Sequence, residues 1–102
     1  MLANAYLEAD ELTKAEHELI LVVKERYRPE DWLLLAEIQE RRGDATAALM
    51  SLHAAEKLNP FRPDVQQLLA IAYGRAGDRD KADVHRKIER RLIARLRERS
   101  GT

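Results

Sequence analysis

The sequence predicts an all-α protein, an α-solenoid of three helix-turn-helix hairpins. Three observations lead there. The stretch from Pro29 to Arg62 is 34 residues long and consists of two amphipathic halves about Gly43-Asp44. Moved 34 places towards the C-terminus, it falls on a second copy; moved 33 places towards the N-terminus, it falls on a third. Alanine, leucine, glutamate and arginine dominate the composition, and all are good helix formers. Only three prolines and four glycines interrupt the 102 residues, so the elements are few and long.

Punctuation sets the elements in order. A first helix is expected from about Met1 to Glu8, with Leu2, Ala3 and Tyr6 on one face. Asp10 is the next good N-cap, opening a helix from Glu11 to about Tyr27. Arg28-Pro29 ends it, because proline disfavours a helical residue before it, and Pro29 suits the first turn of the next helix. Glu30 and Asp31 then sit where acids complement the helix dipole. This third helix runs to Arg42, where Gly43 is a natural C-cap and Asp44 a natural N-cap. The fourth covers about Ala45 to Leu58 and stops at Asn59-Pro60. Pro63-Asp64 start the fifth, which ends at Gly77. Asp78 caps the sixth, expected to reach Arg99, with Ser100-Gly101-Thr102 fraying.

The copies agree column by column. In the first helices Leu2, Leu35 and Leu69 align, as do Ala3, Ala36 and Ala70, and Tyr6, Gln39 and Tyr73. The turns align as Asp10-Glu11, Asp44-Ala45 and Asp78-Arg79, with Gly43 matched by Gly77 and Ala9. In the second helices Ala15, Ala48 and Ala82 align, Leu19 matches Leu52, and Val22 matches Ala55. Alanine at fixed columns lets antiparallel helices approach, and large residues around it fill the gaps. One domain spans residues 1–102. It comprises a repeat over 1–28 that opens in mid-motif, a complete repeat over 29–62, and a third over 63–99 with an extended last helix.

The middle repeat resembles a tetratricopeptide repeat, through Trp32, Leu35, Ala36, Gln39, Ala48, Leu52, Ala55 and Pro60. The third carries Leu69, Ala70, Tyr73, Gly77 and Ala82 at the matching columns. The resemblance covers nearly the whole chain. It implies a right-handed superhelix and a non-enzymatic scaffold that binds a peptide or helix in a concave groove lined by the first helix of each hairpin. In the third repeat the columns of Leu52 and Ala55 become Arg86 and Glu89. No fourth repeat is therefore expected, and the last helix reads as a terminal cap with a polar outer face. Trp32 is expected to wedge between its own hairpin and the preceding one.

At 100° per residue, Trp32, Leu35, Ala36 and Gln39 share one helix face, and Leu34, Glu37 and Arg41 the opposite one. The resemblance assigns that opposite face to the groove. Across the repeats it yields an apolar row of Met1, Leu34 and Leu68, a mixed row of Asn4, Glu37 and Ile71, and a charged row of Glu8, Arg41 and Arg75. Leu7, Leu33, Glu40 and Gln67 flank them. The expected partner-binding set is Asn4, Leu33, Leu34, Glu37, Glu40, Arg41, Gln67, Leu68, Ile71 and Arg75. Leucines turned away from their own hairpin call for cover, and the two arginines suit an acidic group on a partner. Cover by an adjacent repeat or by a second copy is the structural alternative. Family members that bind acidic chaperone tails use a clamp of lysines and asparagines. Here only Asn4 stands at a matching column, while Leu34, Asp64 and Leu68 hold others, so no such binding is expected.

Formal net charge is zero, unevenly spread. Residues 1–58 hold 12 acids and 7 bases, net −5, and residues 79–102 hold 4 acids and 9 bases, net +5. A basic tail meeting an acidic partner, or head-to-tail self-association, would follow from this, as would a merely solvated helix. On the last helix Val84, Ile88, Leu92 and Leu96, widened by Ile93, form an apolar stripe expected to pack on the third hairpin. Arg86, Lys87, Arg90, Arg91 and Arg97 lie on the other side. Such a helix could also lie on an anionic membrane or bind nucleic acid, but no aromatic residue interleaves with the arginines for base stacking.

Cysteine is absent, which excludes disulfides and thiolate metal sites. No run approaches the roughly 18 apolar residues of a membrane span. No secretory leader opens the chain; a cytoplasmic setting is the default expectation, and a fragment of an exported protein is the alternative. His17, His53 and His85 fall on three different helices without a second ligand at metal-like spacing. Ser51 and His53, two apart on a helix, point in different directions. There is no glycine loop for phosphate. Neither catalysis nor a cofactor, metal or small-molecule substrate is expected. The expected partner is a protein or peptide, or a second copy of the chain.

Overall fold

The structure, a computed structural model, describes residues 11–101. The expected first helix and the Asp10 cap lie outside the described residues. Five helices follow in order: α1 (Leu12–Glu25), α2 (Pro29–Arg41), α3 (Ala45–Leu58), α4 (Pro63–Arg75) and α5 (Arg79–Gly101). Among the described residues there is no strand. The chain divides into two units, Met1–Leu58 with α1 to α3 and Asn59–Thr102 with α4 and α5. In the first unit α2 packs against both α1 and α3; in the second α4 packs against α5.

The two hairpin turns are built identically. Gly43 N–H donates to Glu40 O at 2.9 Å and Asp44 N–H to Gln39 O at 2.9 Å. Gly77 donates to Gly74 O at 3.1 Å and Asp78 to Tyr73 O at 2.9 Å. This pair of bonds satisfies carbonyls that the ends of α2 and α4 leave without helical partners. It requires a left-handed residue, and Gly43 and Gly77 stand at φ 82° and 83°. The aspartate after each glycine serves both helices. Its carboxylate accepts from the third residue of the next helix, Ala47 N–H on Asp44 and Lys81 N–H on Asp78, each at 3.1 Å. Pro29 and Pro63 open α2 and α4 behind extended Arg28 and Arg62.

Helix ends differ from expectation at several places, among them α4, expected to run to Gly77, which ends at Arg75. α1 stops at Glu25, two residues before Tyr27. Arg26 leaves the helical region at φ −116°, ψ 80°, and its guanidinium reaches Asp31 at 3.0 Å. α2 ends at Arg41, one residue before the expected Arg42, which takes the C-cap. α5 runs through Ser100 to Gly101 where fraying was expected, and Ser100 Oγ donates back to Leu96 O at 2.9 Å.

In the first unit Ala15, Leu19 and Val23 of α1 meet Leu35 and Ile38 of α2 in one buried cluster, with Leu12, Ile20, Trp32 and Leu34 half-buried against it. Ile38, fully buried, is a core residue that the face assignment of α2 did not single out. It falls between the two faces because α2 has packed neighbours on two sides, α1 as well as α3. Ala36, Ala48, Leu52 and Ala55 are buried too, as the alanine columns require for close helix approach. In the second unit Val65, Leu69, Ala70, Ala72 and Ala82 form the corresponding interior.

The last helix packs through only part of the expected stripe, Ile88, Leu92 and Ile93. Ala82 is buried, and His85, Ile88, Glu89, Leu92 and Ile93 are half-buried, whereas Val84 and Leu96 are exposed. Val84 lies about 120° from the Ala82–His85–Glu89–Leu92 line, so it faces away from α4. Leu96 is on that line but lies beyond reach. At 1.5 Å per residue the 13 residues of α4 span about 20 Å, while the 23 of α5 span about 34 Å. The distal part of α5 therefore overhangs its partner.

Candidate functional site

The expected binding residues fall into two local sets. On α2, Leu34, Glu37 and Arg41 lie at i, i+3 and i+7 on one stripe. Leu34 is half-buried against the α1/α2 cluster, so much of its surface is already covered. Glu37 and Arg41 are exposed and pair at 3.5 Å. Leu33 and Glu40 are half-buried at the sides. On α4, Leu68, Ile71 and Arg75 repeat the same spacing. Here the two apolar side chains are exposed, 37% and 41% respectively, and Gln67 and Arg75 are exposed beside them. Asn4 lies outside the described residues. The α4 stripe is thus the more open apolar surface of the two. Each set belongs to its own unit.

Behind these faces are polar clusters that the sequence reading did not single out. In the first unit Glu16 of α1 is 8% exposed, Gln39 of α2 is 6% and Ser51 of α3 is 3%. Ser51 Oγ donates to Gln39 Oε1 at 2.6 Å, and Gln39 Nε2 donates to Glu16 Oε2 at 3.1 Å. The other Glu16 oxygen accepts from the Arg42 guanidinium. One buried chain of polar atoms thereby ties three helices, with its charge neutralised at the edge by Arg42. Such a network stabilises and orients the elements only while every member is satisfied.

The second unit solves the same columns differently. Tyr73 and His85 stand 34 residues after Gln39 and Ser51, and their rings stack with centroids 5.5 Å apart and planes 5° apart. His85 Nδ1 lies 2.7 Å from Gln66 Oε1, and since that oxygen can only accept, Nδ1 carries the proton. Gln66, 1% exposed, occupies the column that holds Trp32 in the preceding repeat. Lys81 sits 5.4 Å over the Tyr73 ring. A signal for the first cluster was present. Polar Glu16 interrupts the apolar line of α1 between Ala15 and Leu19, and Gln39 replaces the tyrosine found in its own column elsewhere.

A third feature is a cleft of about 340 Å³ in the second unit, lined by Phe61, Leu92, Arg95, Leu96 and Arg99. It arises where α5 overhangs α4 and the Asn59–Arg62 connection turns beneath it. Asn59 Oδ1 accepts from Phe61 N–H at 3.0 Å and holds that turn. Phe61 itself is 69% exposed. Nearby, two guanidinium nitrogens of Arg62 hold both oxygens of Asp64, at 3.0 and 2.8 Å. That bidentate contact, outweighing partial desolvation, keeps the Asp64 carboxyl below its usual range. Among the described residues no group of three histidine, cysteine or acidic side chains could hold a metal, and no helix is long and apolar enough to cross a membrane.

The chain matches no protein-family model, and none of the curated proteins is significantly similar to it in sequence.

Proposed function

We propose that this chain is a non-enzymatic protein-interaction module of the tetratricopeptide type, in which the hairpins stack as a right-handed solenoid and the first helix of each hairpin presents the docking face. Support for the fold comes from the repeated hairpins, whose turns share the same hydrogen bonds, left-handed glycines and aspartate caps. The observation that carries the function is the α4 stripe. Leu68 and Ile71 remain exposed on a helix whose other side is packed, and Arg75 stands one turn further on. Paired apolar anchors at i and i+3 beside a cation suit an amphipathic helix or extended peptide carrying an acidic residue. On α2 the same role falls to Glu37 and Arg41 with Leu33, Leu34 and Glu40 at the margin.

The test is the double exchange Leu68→Glu and Ile71→Glu. Both side chains are exposed, so helicity by circular dichroism should be retained. Partners recovered by proximity cross-linking to the wild-type chain should be lost from the variant. An unchanged set of cross-linked partners, with helicity intact, would remove the α4 face from the reading. A second reading, assembly of copies with one another, is favoured by the segregation of charge between the two ends of the sequence.

A further inference from the structure

The distal cleft of α5 and the outer face of α1 are complementary in charge, and each carries apolar surface. On α1, Glu18, Leu21 and Glu25 lie at i, i+3 and i+7, so they form one stripe about 10 Å long. All three are exposed, and Leu21 is 64% exposed. Leu21 is thus an exposed apolar side chain with an acid on either side along the stripe. At the other end of the chain, Phe61, Leu92 and Leu96 make an apolar cleft edged by the guanidinium-bearing Arg95 and Arg99. That is a socket of the opposite charge.

We propose that copies of this chain associate head to tail, Leu21 of one copy seating in the Phe61–Leu92–Leu96 cleft of the next, with Glu18 and Glu25 meeting Arg95 and Arg99. Charge identifies a second copy of the chain as the occupant. Residues 1–58 carry net −5 and residues 79–102 net +5, while the whole chain is neutral, so two copies do not repel each other at long range and each end attracts the opposite end. The two arginines are four residues apart, about 6 Å along the helix, and their long side chains splay to reach two acids seven residues apart. The contact is heterologous: it uses a different surface on each partner. It therefore leaves one free knob and one free socket on every pair, and growth continues into short chains unless the rotation closes a ring. Ion pairs at the rim make the association sensitive to salt. The α4 stripe plays no part in it, so this association and partner binding on α4 fail or succeed separately.

The experiment is sedimentation equilibrium on the full chain and two charge-reversed variants, Glu18→Lys with Glu25→Lys, and Arg95→Glu with Arg99→Glu. All four positions are exposed, and circular dichroism establishes that each variant keeps its helicity. For the wild type at low ionic strength, the average mass should rise with concentration above the monomer value and fall back at about 0.5 M salt. Each variant alone should remain monomeric. Mixed in equal amounts, they should associate again, because the native socket of one variant meets the native knob of the other and the lysine-flanked knob meets the glutamate-edged socket. A wild-type chain that stays monomeric to about 1 mM overturns the proposal. So does a variant that still self-associates, or a mixture that does not associate. Should the monomeric wild type instead bind vesicles of anionic phospholipid, and lose that binding in Arg95→Glu with Arg99→Glu, the cleft belongs to a lipid surface and the proposal also falls.

Discussion

Gln39 is where single-residue chemistry matters most in this chain. Its side-chain oxygen accepts from Ser51 and its nitrogen donates to Glu16, so one amide links α3 to α1 through α2. Truncation to alanine strands both neighbours in a buried place. An unsatisfied buried group costs about 1–3 kcal/mol, more where it is charged. We expect Gln39→Ala to lower stability by about 2–3 kcal/mol in a urea melt. Ser51→Ala removes only one neutral member and should cost about 1 kcal/mol. Equal losses from the two would mean that Glu16 does not depend on Gln39. Trp32, by contrast, is half-buried rather than enclosed, so its ring contributes surface burial to the α1/α2 cluster without closing it.

At the scale of elements, the hairpin turn is the repeated device. Gly43 and Gly77 adopt φ values of 82° and 83°, and a Cβ built on either meets no atom within 4 Å. The requirement for glycine is therefore conformational rather than steric. Gly43→Ala and Gly77→Ala should each cost about 1 kcal/mol, and by nearly the same amount, because the two turns share one hydrogen-bond pattern. A thermal melt of each variant checks this. A loss several times larger at one turn would show that its glycine is also needed for close packing. Asp44 and Asp78 work on the same turn from the other side, each closing one helix and opening the next.

On the scale of the whole molecule, α5 is the asymmetric element. It continues well past the length of α4, and from Ala94 to Ser100 its residues are exposed. Deleting residues 96–102 should therefore shift the unfolding free energy by less than about 1 kcal/mol. The same deletion removes Leu96 and Arg99 from the cleft and should abolish concentration-dependent mass. Loss of stability by several kcal/mol would mean that the overhang is packed against something, and would argue against an open socket.

The sequence by itself determined the local architecture. Proline, glycine and aspartate at fixed columns act through backbone geometry alone, so the helix starts and the two turns were legible without any tertiary knowledge. The alanine and leucine columns were legible for the same reason, since helical period places them on one face. Leu68, Ile71 and Arg75 were placed on one stripe of α4, and they stand there exposed. What the tertiary structure decided was which of several amphipathic faces is covered. Ile38 lies between the expected faces and is buried because two helices flank α2. Leu34 is half-covered by the α1/α2 cluster while its counterpart Leu68 is not. Val84 turned out to face away from α4, and Leu96 to lie beyond its end. The buried run from Glu16 through Gln39 to Ser51 is assembled from three successive helices, one residue from each. Periodicity reports the angle of a residue about its own helix, whereas burial depends on where the neighbouring helix lies and how far it extends, and only packing settles that.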